Sequence, residues 1–283
     1  MPADAIGDTH SDAQTPADAP QVPARCDLTK PFGEATLVPG INSGFDEMRF
    51  SLTGDEKTAF VARSKGNGMG LDSLILAARR ESRDVPFGAP DDALTSTINQ
   101  LNSTTGTVYN ASVSADGLTL YTSRSSAAIA ISTRPSLEAA FGTESIVTVQ
   151  DSNLSHDAYD AAISADGQTL YWEDTSFAQI FAASRVGQGA FDSQKLIANA
   201  QAPVALSSDE LSMYSALGIR TVLVATRSNK ADMFGANTAI PNVSSSSDDF
   251  PVAITLDGCV LYICSNRPEG LGGYDIWEAH RPQ

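Results

Sequence analysis

Large and small residues alternate in five segments of the chain, in a pattern that indicates short β-strands. In each segment a bulky aliphatic residue is followed at once by a serine or threonine, and the next apolar run ends on an aromatic residue. A period of two residues is typical of a strand with one bulky and one cramped face. The segments align without a gap at 50–60, 111–121, 161–171, 204–214 and 252–262. They predict five similar β-hairpins.

Each hairpin carries an aspartate in its turn. Asp-Gly between apolar runs favours a tight turn, because glycine accepts a positive φ and the aspartate carboxylate binds its own backbone. We therefore predict type I′ turns at the three Asp-Gly pairs and looser turns at the two Asp-Glu pairs, which lack the glycine. The residues with a predicted structural role in these turns are Asp55, Asp116, Gly117, Asp166, Gly167, Asp209, Asp257 and Gly258.

Two further anchors recur with the hairpins. Each repeat opens on a phenylalanine, and these phenylalanines lie about 50 residues apart, which is the length of a four-stranded propeller blade. Each repeat closes on an apolar strand that ends in arginine, and no segment between the anchors has a helical period. The opening residues are Phe32, Phe87, Phe141, Phe191 and Phe234, and the closing residues are Arg79, Arg134, Arg185, Arg227 and Arg281. The repeats predict an all-β fold, a five-bladed β-propeller of four-stranded antiparallel blades.

The hairpin sequence resembles the TolB-type propeller repeat. The resemblance is carried by Ser-Ala-Asp-Gly-x-Thr-Leu-Tyr at 114–121 and 164–171 and by Ser-Asn-Arg-Pro-Glu-Gly-Leu-Gly-Gly-Tyr-Asp-Ile-Trp at 265–277. It extends over residues 31–283. It implies a propeller and, in the last repeat, an ion pair between Arg267 and Asp275. It implies no particular activity, because propellers serve many unrelated functions.

The last repeat ends after three strands, so its outer strand must come from elsewhere. We expect segment 35–39 to supply that strand and to close the ring. Cys26 precedes this segment and Cys259 follows the last turn, so ring closure brings them together and predicts a Cys26–Cys259 disulfide. Cys264 is then a buried thiol. The alternative is three free thiols in a reducing compartment.

Composition narrows the class of protein. The chain has 34 acidic and 18 basic residues and a net charge of −16, which repels nucleic acids and anionic membranes. No apolar run approaches the roughly 20 residues of a transmembrane helix. Residues 1–25 are rich in Ala, Pro and Asp and predict a flexible tether ahead of one domain at 26–283. Such tethers often follow a secretion signal or a lipid anchor, so we expect a monomer in the periplasm or outside the cell, anchored or free.

Carboxylates cluster at the predicted mouth of the propeller channel. The residues that precede the innermost strands ring this mouth, and three of the five repeats place a carboxylate there. Such an acidic cup suits a basic peptide, a sugar or a cation such as calcium. The alternative is that these are solvated residues at the starts of strands. The members of the cup are Asp46, Glu47, His156, Asp157, Asp160, Asp248 and Asp249.

These features predict a non-enzymatic binding or scaffold module of the bacterial cell envelope, without a cofactor, whose acidic mouth meets a protein or glycan partner. The alternative is a carbohydrate-active hydrolase or lyase that uses two carboxylates at the same mouth. The chain has no Gly-x-Ser-x-Gly, His-Glu-x-x-His or Cys-x-x-Cys motif, so the sequence lacks the common signatures of hydrolases and zinc sites.

Overall fold

Five small antiparallel sheets form a five-bladed β-propeller. The computed structural model describes residues 23–64, 73–91, 93–96, 98, 108–124, 128–150, 158–218 and 220–283. Each blade has an inner, a middle and a third strand that pair antiparallel, and a shorter outer strand or bridge lies beyond them.

The strands are numbered in chain order and grouped by blade. The first blade contains β2 (Asp46–Leu52), β3 (Thr58–Ser64) and β4 (Ser73–Arg79), with a bridge between Ala77 and Asp91. The second contains β5 (Val108–Val113), β6 (Thr119–Arg124), β7 (Ile129–Thr133) and β8 (Ser145–Ile146). The third contains β10 (Ala158–Ile163), β11 (Thr169–Asp174), β12 (Gln179–Gly187), β13 (Ala190–Phe191) and β14 (Lys195–Ala198), with β9 (Thr148–Val149) parallel to β13. The fourth contains β15 (Gln201–Leu206), β16 (Ser212–Leu217), β17 (Thr221–Thr226) and β18 (Thr238–Ala239). The fifth contains β19 (Asp249–Ile254), β20 (Val260–Ser265), β21 (Asp275–His280) and β1 (Thr36–Leu37).

The two ends of the chain meet in the fifth blade. Strand β1 pairs antiparallel with β21, so that Leu37 lies opposite Trp277. Cys26 and Cys259 form a disulfide with a Cα–Cα distance of 5.7 Å, which confirms the predicted bridge. Cys264 is a free, fully buried thiol. Arg25, the residue before Cys26, also contacts the propeller. It forms ion pairs with Glu56 of the first blade and with Asp257 of the fifth. We call this junction between the first and fifth blades the seam.

The five hairpin turns share one hydrogen-bond pattern, which differs from the predicted type I′ geometry. The turn aspartate accepts hydrogen bonds from the hydroxyl two residues before it and from the N–H two residues after it, as Asp116 does from Ser114 and Leu118. Only the residue after the aspartate has a positive φ, for example 73° at Gly117. A type I′ turn needs a positive φ at both central positions. The observed turns instead place one left-handed residue after a type I turn, and the N–H of Gly117 donates to the carbonyl of Ser114.

The two turns without glycine are as tight as the others. Glu56 and Glu210 both adopt a φ of 60° and make the same backbone hydrogen bond. Both glutamates are buried. Glu56 pairs with Arg25 and Arg80, and Glu210 pairs with Lys230. These ion pairs accompany a backbone conformation that glutamate rarely adopts, so the expected loosening of these turns is wrong.

One arginine in each blade links the hairpin turn to the outer strand. Its Nε donates to a carbonyl of the turn at 2.6–3.2 Å, and its guanidinium lies over a phenylalanine ring at 4.0–5.4 Å. A guanidinium over an aromatic face is attracted by the ring quadrupole. The pairs are Arg80 over Phe87, Arg134 over Phe141, Arg185 over Phe191, Arg227 over Phe234 and Arg281 over Phe32. In the first blade β4 ends at Arg79, as the sequence predicts, but the arginine that makes these contacts is the next residue, Arg80.

The aromatic residue of the neighbouring blade reaches the same guanidinium. The hydroxyl of Tyr121 in the second blade contacts Nη2 of Arg185 in the third blade. In the first blade the equivalent residue is Phe60, which has no hydroxyl, and Nη2 of Arg134 is buried with no hydrogen-bond partner among the described residues. The interface between the first and second blades therefore lacks a hydrogen bond that the interface between the second and third blades has.

We predict that Phe60→Tyr stabilises the protein. The added hydroxyl would meet Nη2 of Arg134, so the free energy of unfolding should rise by about 1 kcal/mol, measured by urea denaturation. The matched control is Tyr121→Phe, which removes the corresponding bond to Arg185 and should lower the free energy of unfolding by about the same amount. A destabilising Phe60→Tyr together with a neutral Tyr121→Phe would show that the contact contributes nothing.

Candidate functional site

The central channel is lined by the innermost strand of every blade. These strands contact each other in ring order, β2 to β5 to β10 to β15 to β19 and back to β2. All of them begin at one end of the channel, which we call the upper mouth, and all of them end at the aspartate turns, which surround the lower mouth. In the third, fourth and fifth blades, the described residues between the second and third strands lie at the upper mouth. The predicted acidic cup belongs to this end.

Glu47 is fully buried and paired within its own blade. Its carboxylate lies 2.6 Å from Nε of Arg63 and accepts hydrogen bonds from the hydroxyl and the N–H of Ser43. Burial raises the pKa of Glu47, while the bonds from Ser43 and Arg63 act in the opposite direction. Both oxygens are engaged, so Glu47 presents no free acceptor to a ligand.

Asp249 repeats this arrangement in the fifth blade. It is fully buried, lies 3.0 Å from Nη2 of Arg267 and accepts a hydrogen bond from the hydroxyl of Ser245. Arg267 therefore pairs with Asp249 and not with Asp275, which corrects the ion pair implied by the family resemblance. The side chain of Asp275 instead accepts the N–H groups of Leu271 and Gly272 at 2.8 and 3.0 Å, because the hairpin loop folds back over it. Burial raises the pKa of Asp275.

Asp160 forms an ion pair across the channel. Its two carboxylate oxygens accept hydrogen bonds from Nε and Nη2 of Arg49 at 2.7 and 2.8 Å. Arg49 belongs to the first blade and Asp160 to the third, and these blades are not neighbours in the ring. The Arg49 guanidinium also lies 5.5 Å from the centre of the Phe250 ring in the fifth blade. Asp160 has a φ of 48° at a bulge of β10, a conformation that is uncommon for residues other than glycine.

The channel also contains a small chamber, lined by serines and aliphatic residues, nearer to the lower mouth than the ion pair. The chamber has a volume of about 110 Å³ and is lined at the lower end of the channel by one bulky aliphatic residue of each blade: Leu52, Val113, Ile163, Leu206 and Ile254. These are the large members of the alternating pattern in the sequence.

The remaining acidic positions are also engaged. Asp46 accepts the N–H of Tyr274 at 3.0 Å. Asp248 accepts the hydroxyl of Tyr274 at 2.8 Å and lies 3.6 Å from Arg220. His156 and Asp157 lie outside the described residues. Within the described part of the chain, no group of three or more His, Cys, Asp or Glu side chains could hold a metal ion.

Aromatic residues, which the sequence analysis did not assign to the mouth, surround it. The rings of Tyr109 and Tyr159 lie 5.8 Å apart and are half-buried, and those of Phe250 and Tyr274 lie 5.9 Å apart. Burial and the neighbouring Tyr159 raise the pKa of Tyr109. Tyr109, Tyr159 and Phe250 each lie seven residues before a turn aspartate, one position after the two strand-entry positions that supply most of the predicted cup. The aligned repeats thus place an aromatic residue at the same position in three of the five blades.

Large apolar side chains are exposed around the same mouth. They come from four blades and from the loops and hairpins that flank the channel entrance, and their exposed fractions are 52–71%. Exposed apolar groups that gather on one face mark interaction surfaces more often than isolated ones do. These residues are Phe45, Phe177, Leu217 and Leu271. Together with the mouth aromatics they define what we call the upper face.

The fold places the chain among the β-propellers. No protein-family model matches it, and no curated protein matches its sequence. It is similar to a chain of a nidogen/laminin complex at 11% identity, with 77% of this chain and 74% of that chain covered and a TM-score of 0.48. It is also similar to a periplasmic gluconolactonase of Pseudomonas aeruginosa at 14% identity, 84% and 74% coverage and a TM-score of 0.42. A protein of unknown function from Bacteroides thetaiotaomicron matches at 11% identity, 89% and 69% coverage and a TM-score of 0.46. In the described residues, no helix has the length and hydrophobicity to cross a bilayer.

Proposed function

We propose that this propeller is a non-enzymatic binding module that recognises a protein partner through its upper face. The observation that carries the proposal is the half-buried pair Tyr109 and Tyr159 at the centre of a face that also exposes Phe177 and Leu217. Aromatic residues in the centre and polar groups at the rim are typical of protein interfaces. The net charge of −16 favours a partner with basic residues at its rim.

The state of the carboxylates supports binding rather than hydrolysis. A general acid and its partner carboxylate need contact with the substrate and contrasting environments. Glu47, Asp160 and Asp249 are each occupied by an arginine at 3.0 Å or less. These three therefore serve the fold of the mouth, and no specific observation favours the hydrolase or lyase alternative.

The disulfide supports a location outside the reducing cytoplasm. Such bonds persist in the periplasm and outside the cell and are rare in the cytosol of most organisms. The chain closes its ring with Cys26–Cys259, and the repeat resembles the TolB type. We propose on these grounds a periplasmic or extracellular propeller of the TolB-type repeat family that acts as a monomer at the cell envelope.

Photo-crosslinking tests the proposed interface. A photoreactive phenylalanine analogue placed at Tyr109 should form a covalent adduct with one partner when the protein is expressed in its native envelope. The adduct should disappear when Tyr159→Ala and Leu217→Ser are added, because they remove the central ring and an exposed apolar contact. The readout is the mass of the adduct on a gel and the identity of the crosslinked peptide.

The matched control places the same analogue at Leu137, which is exposed in a loop at the opposite, lower face. Adducts that form equally from Leu137, or that persist after both substitutions at the upper face, would contradict a specific interface there. An adduct to a glycan instead of a protein would support the upper face as the binding site and contradict the proposal of a protein partner.

A further inference from the structure

A cleft opens at the seam, away from the upper face. It has a volume of about 390 Å³ and lies between the amino-terminal segment near Cys26, the turn that contains Glu56 and the loop from Arg80 to Phe87. Small-molecule sites in proteins span about 300–1,000 Å³. This seam cleft exists because the fifth blade is completed by a separate segment of chain, so the first and fifth blades meet differently from the other pairs.

The cleft gathers positive charge in an acidic protein. Four arginines and one histidine line it, against the carboxylates of Glu56, Asp84 and Glu278. The hydrogen bond from His280 to Glu278 raises the pKa of the histidine. The cationic residues are Arg25, Arg80, Arg83, Arg281 and His280. This concentration contrasts with the chain's net charge of −16.

Three of the four arginines already bind other residues of the protein. Arg25 and Arg80 hold Glu56, at 2.7 and 3.6 Å. Arg281 donates to the carbonyls of Gly258, Leu28 and Lys30. These contacts add to the disulfide and to the β1–β21 pairing that close the seam.

Arg83 has no such role. Its side chain is exposed, lines the cleft and has no ion pair or hydrogen bond to any described residue. A guanidinium offers five donors in a planar fork that matches a carboxylate or phosphate. Arg83 is therefore the group in the cleft that remains available for an anion.

The wall beside Arg83 is apolar. Val85 and Pro86, two and three residues after Arg83, are exposed apolar residues of the cleft, whereas Val38 and Phe87 also line it but are buried. Pockets for small molecules combine such a wall with a few placed polar groups that fix orientation. We propose that the seam cleft binds a small organic anion, with its apolar ring or chain against Val85 and Pro86 and its carboxylate on the guanidinium of Arg83. This proposal does not depend on the upper face or its partner.

Calorimetric titration of the full chain with benzoate tests the site. Benzoate should bind saturably in the millimolar range, and the neutral isostere benzamide should bind at least about tenfold more weakly, which corresponds to 1.4 kcal/mol. Arg83→Gln should weaken benzoate binding by at least about tenfold and Arg83→Glu should abolish it, because the first removes the cation and the second repels the ligand. Both substitutions are at an exposed side chain, so the melting temperature should stay within about 1 °C.

Arg79→Gln is the matched control. Arg79 is an exposed arginine four residues earlier whose Nη2 donates to the carbonyl of Leu137, outside the cleft. Benzoate affinity should stay within about twofold in this variant. Equal binding of benzamide, equal losses in Arg79→Gln and Arg83→Gln, or no saturable binding to the unmodified chain would each overturn the proposal.

Discussion

Replacing both Cys26 and Cys259 by serine should lower the free energy of unfolding by about 3–5 kcal/mol. The disulfide joins residues 233 positions apart in the sequence, and a crosslink that closes so long a loop removes a large amount of entropy from the unfolded chain. In the folded protein it holds the segment that leads into β1 against the turn of the fifth blade. The measurement is urea denaturation under oxidising conditions.

The loss should be localised at the seam. Hydrogen exchange should accelerate first at Thr36–Leu37 and at the facing part of β21, because the double variant removes the covalent link next to this short strand pair and leaves only non-covalent contacts to hold the ends together. Reducing agent should reproduce the effect in the unmodified protein and have no effect on the double variant. A loss below about 1 kcal/mol, or unchanged exchange at β1, would show that the ring closes without the bridge.

The sequence predicted the architecture because its signals repeat. Each of the five turns has the same hydroxyl and aspartate two residues apart, and the same bond joins them in every blade, from Thr53 and Asp55 to Thr255 and Asp257. One copy of such a pattern could fit several secondary structures, but five aligned copies support the same assignment. The predicted type I′ turn was wrong. An Asp-Gly sequence fits a type I turn followed by a left-handed glycine as well as it fits a type I′ turn.

The candidate site was less predictable, because its contacts depend on distant residues. Which of Arg79 and Arg80 faces inward is decided by a one-residue register, and a one-residue shift moves a side chain to the other face of the sheet. The sequence places Glu47 and Asp249 near the mouth but does not show the arginines that occupy them. The local sequence around Glu56 also predicts a loose turn, because the arginines that bind Glu56 come from the amino-terminal segment and from the residue after β4.

The ion pair across the channel carries the second large prediction. Asp160→Asn should lower the free energy of unfolding by about 3 kcal/mol, because it leaves the charge of Arg49 buried without its partner. Asparagine tolerates a positive φ about as well as aspartate, so the backbone at φ 48° should be unaffected and the effect isolates the charge. Asp174→Asn, a substitution at the more exposed end of β11 in the same blade, should change the stability by less than about 0.5 kcal/mol.

A double variant separates the ion pair from the packing around it. Arg49→Met with Asp160→Asn removes both charges and leaves an apolar side chain against Phe250, so it should be more stable than Asp160→Asn alone by about 2 kcal/mol. The coupling should also survive high salt, since a desolvated pair is screened far less than a surface pair. If the two single losses simply add in the double variant, Arg49 and Asp160 do not stabilise each other, and the channel owes its closure to the aromatic and aliphatic side chains alone.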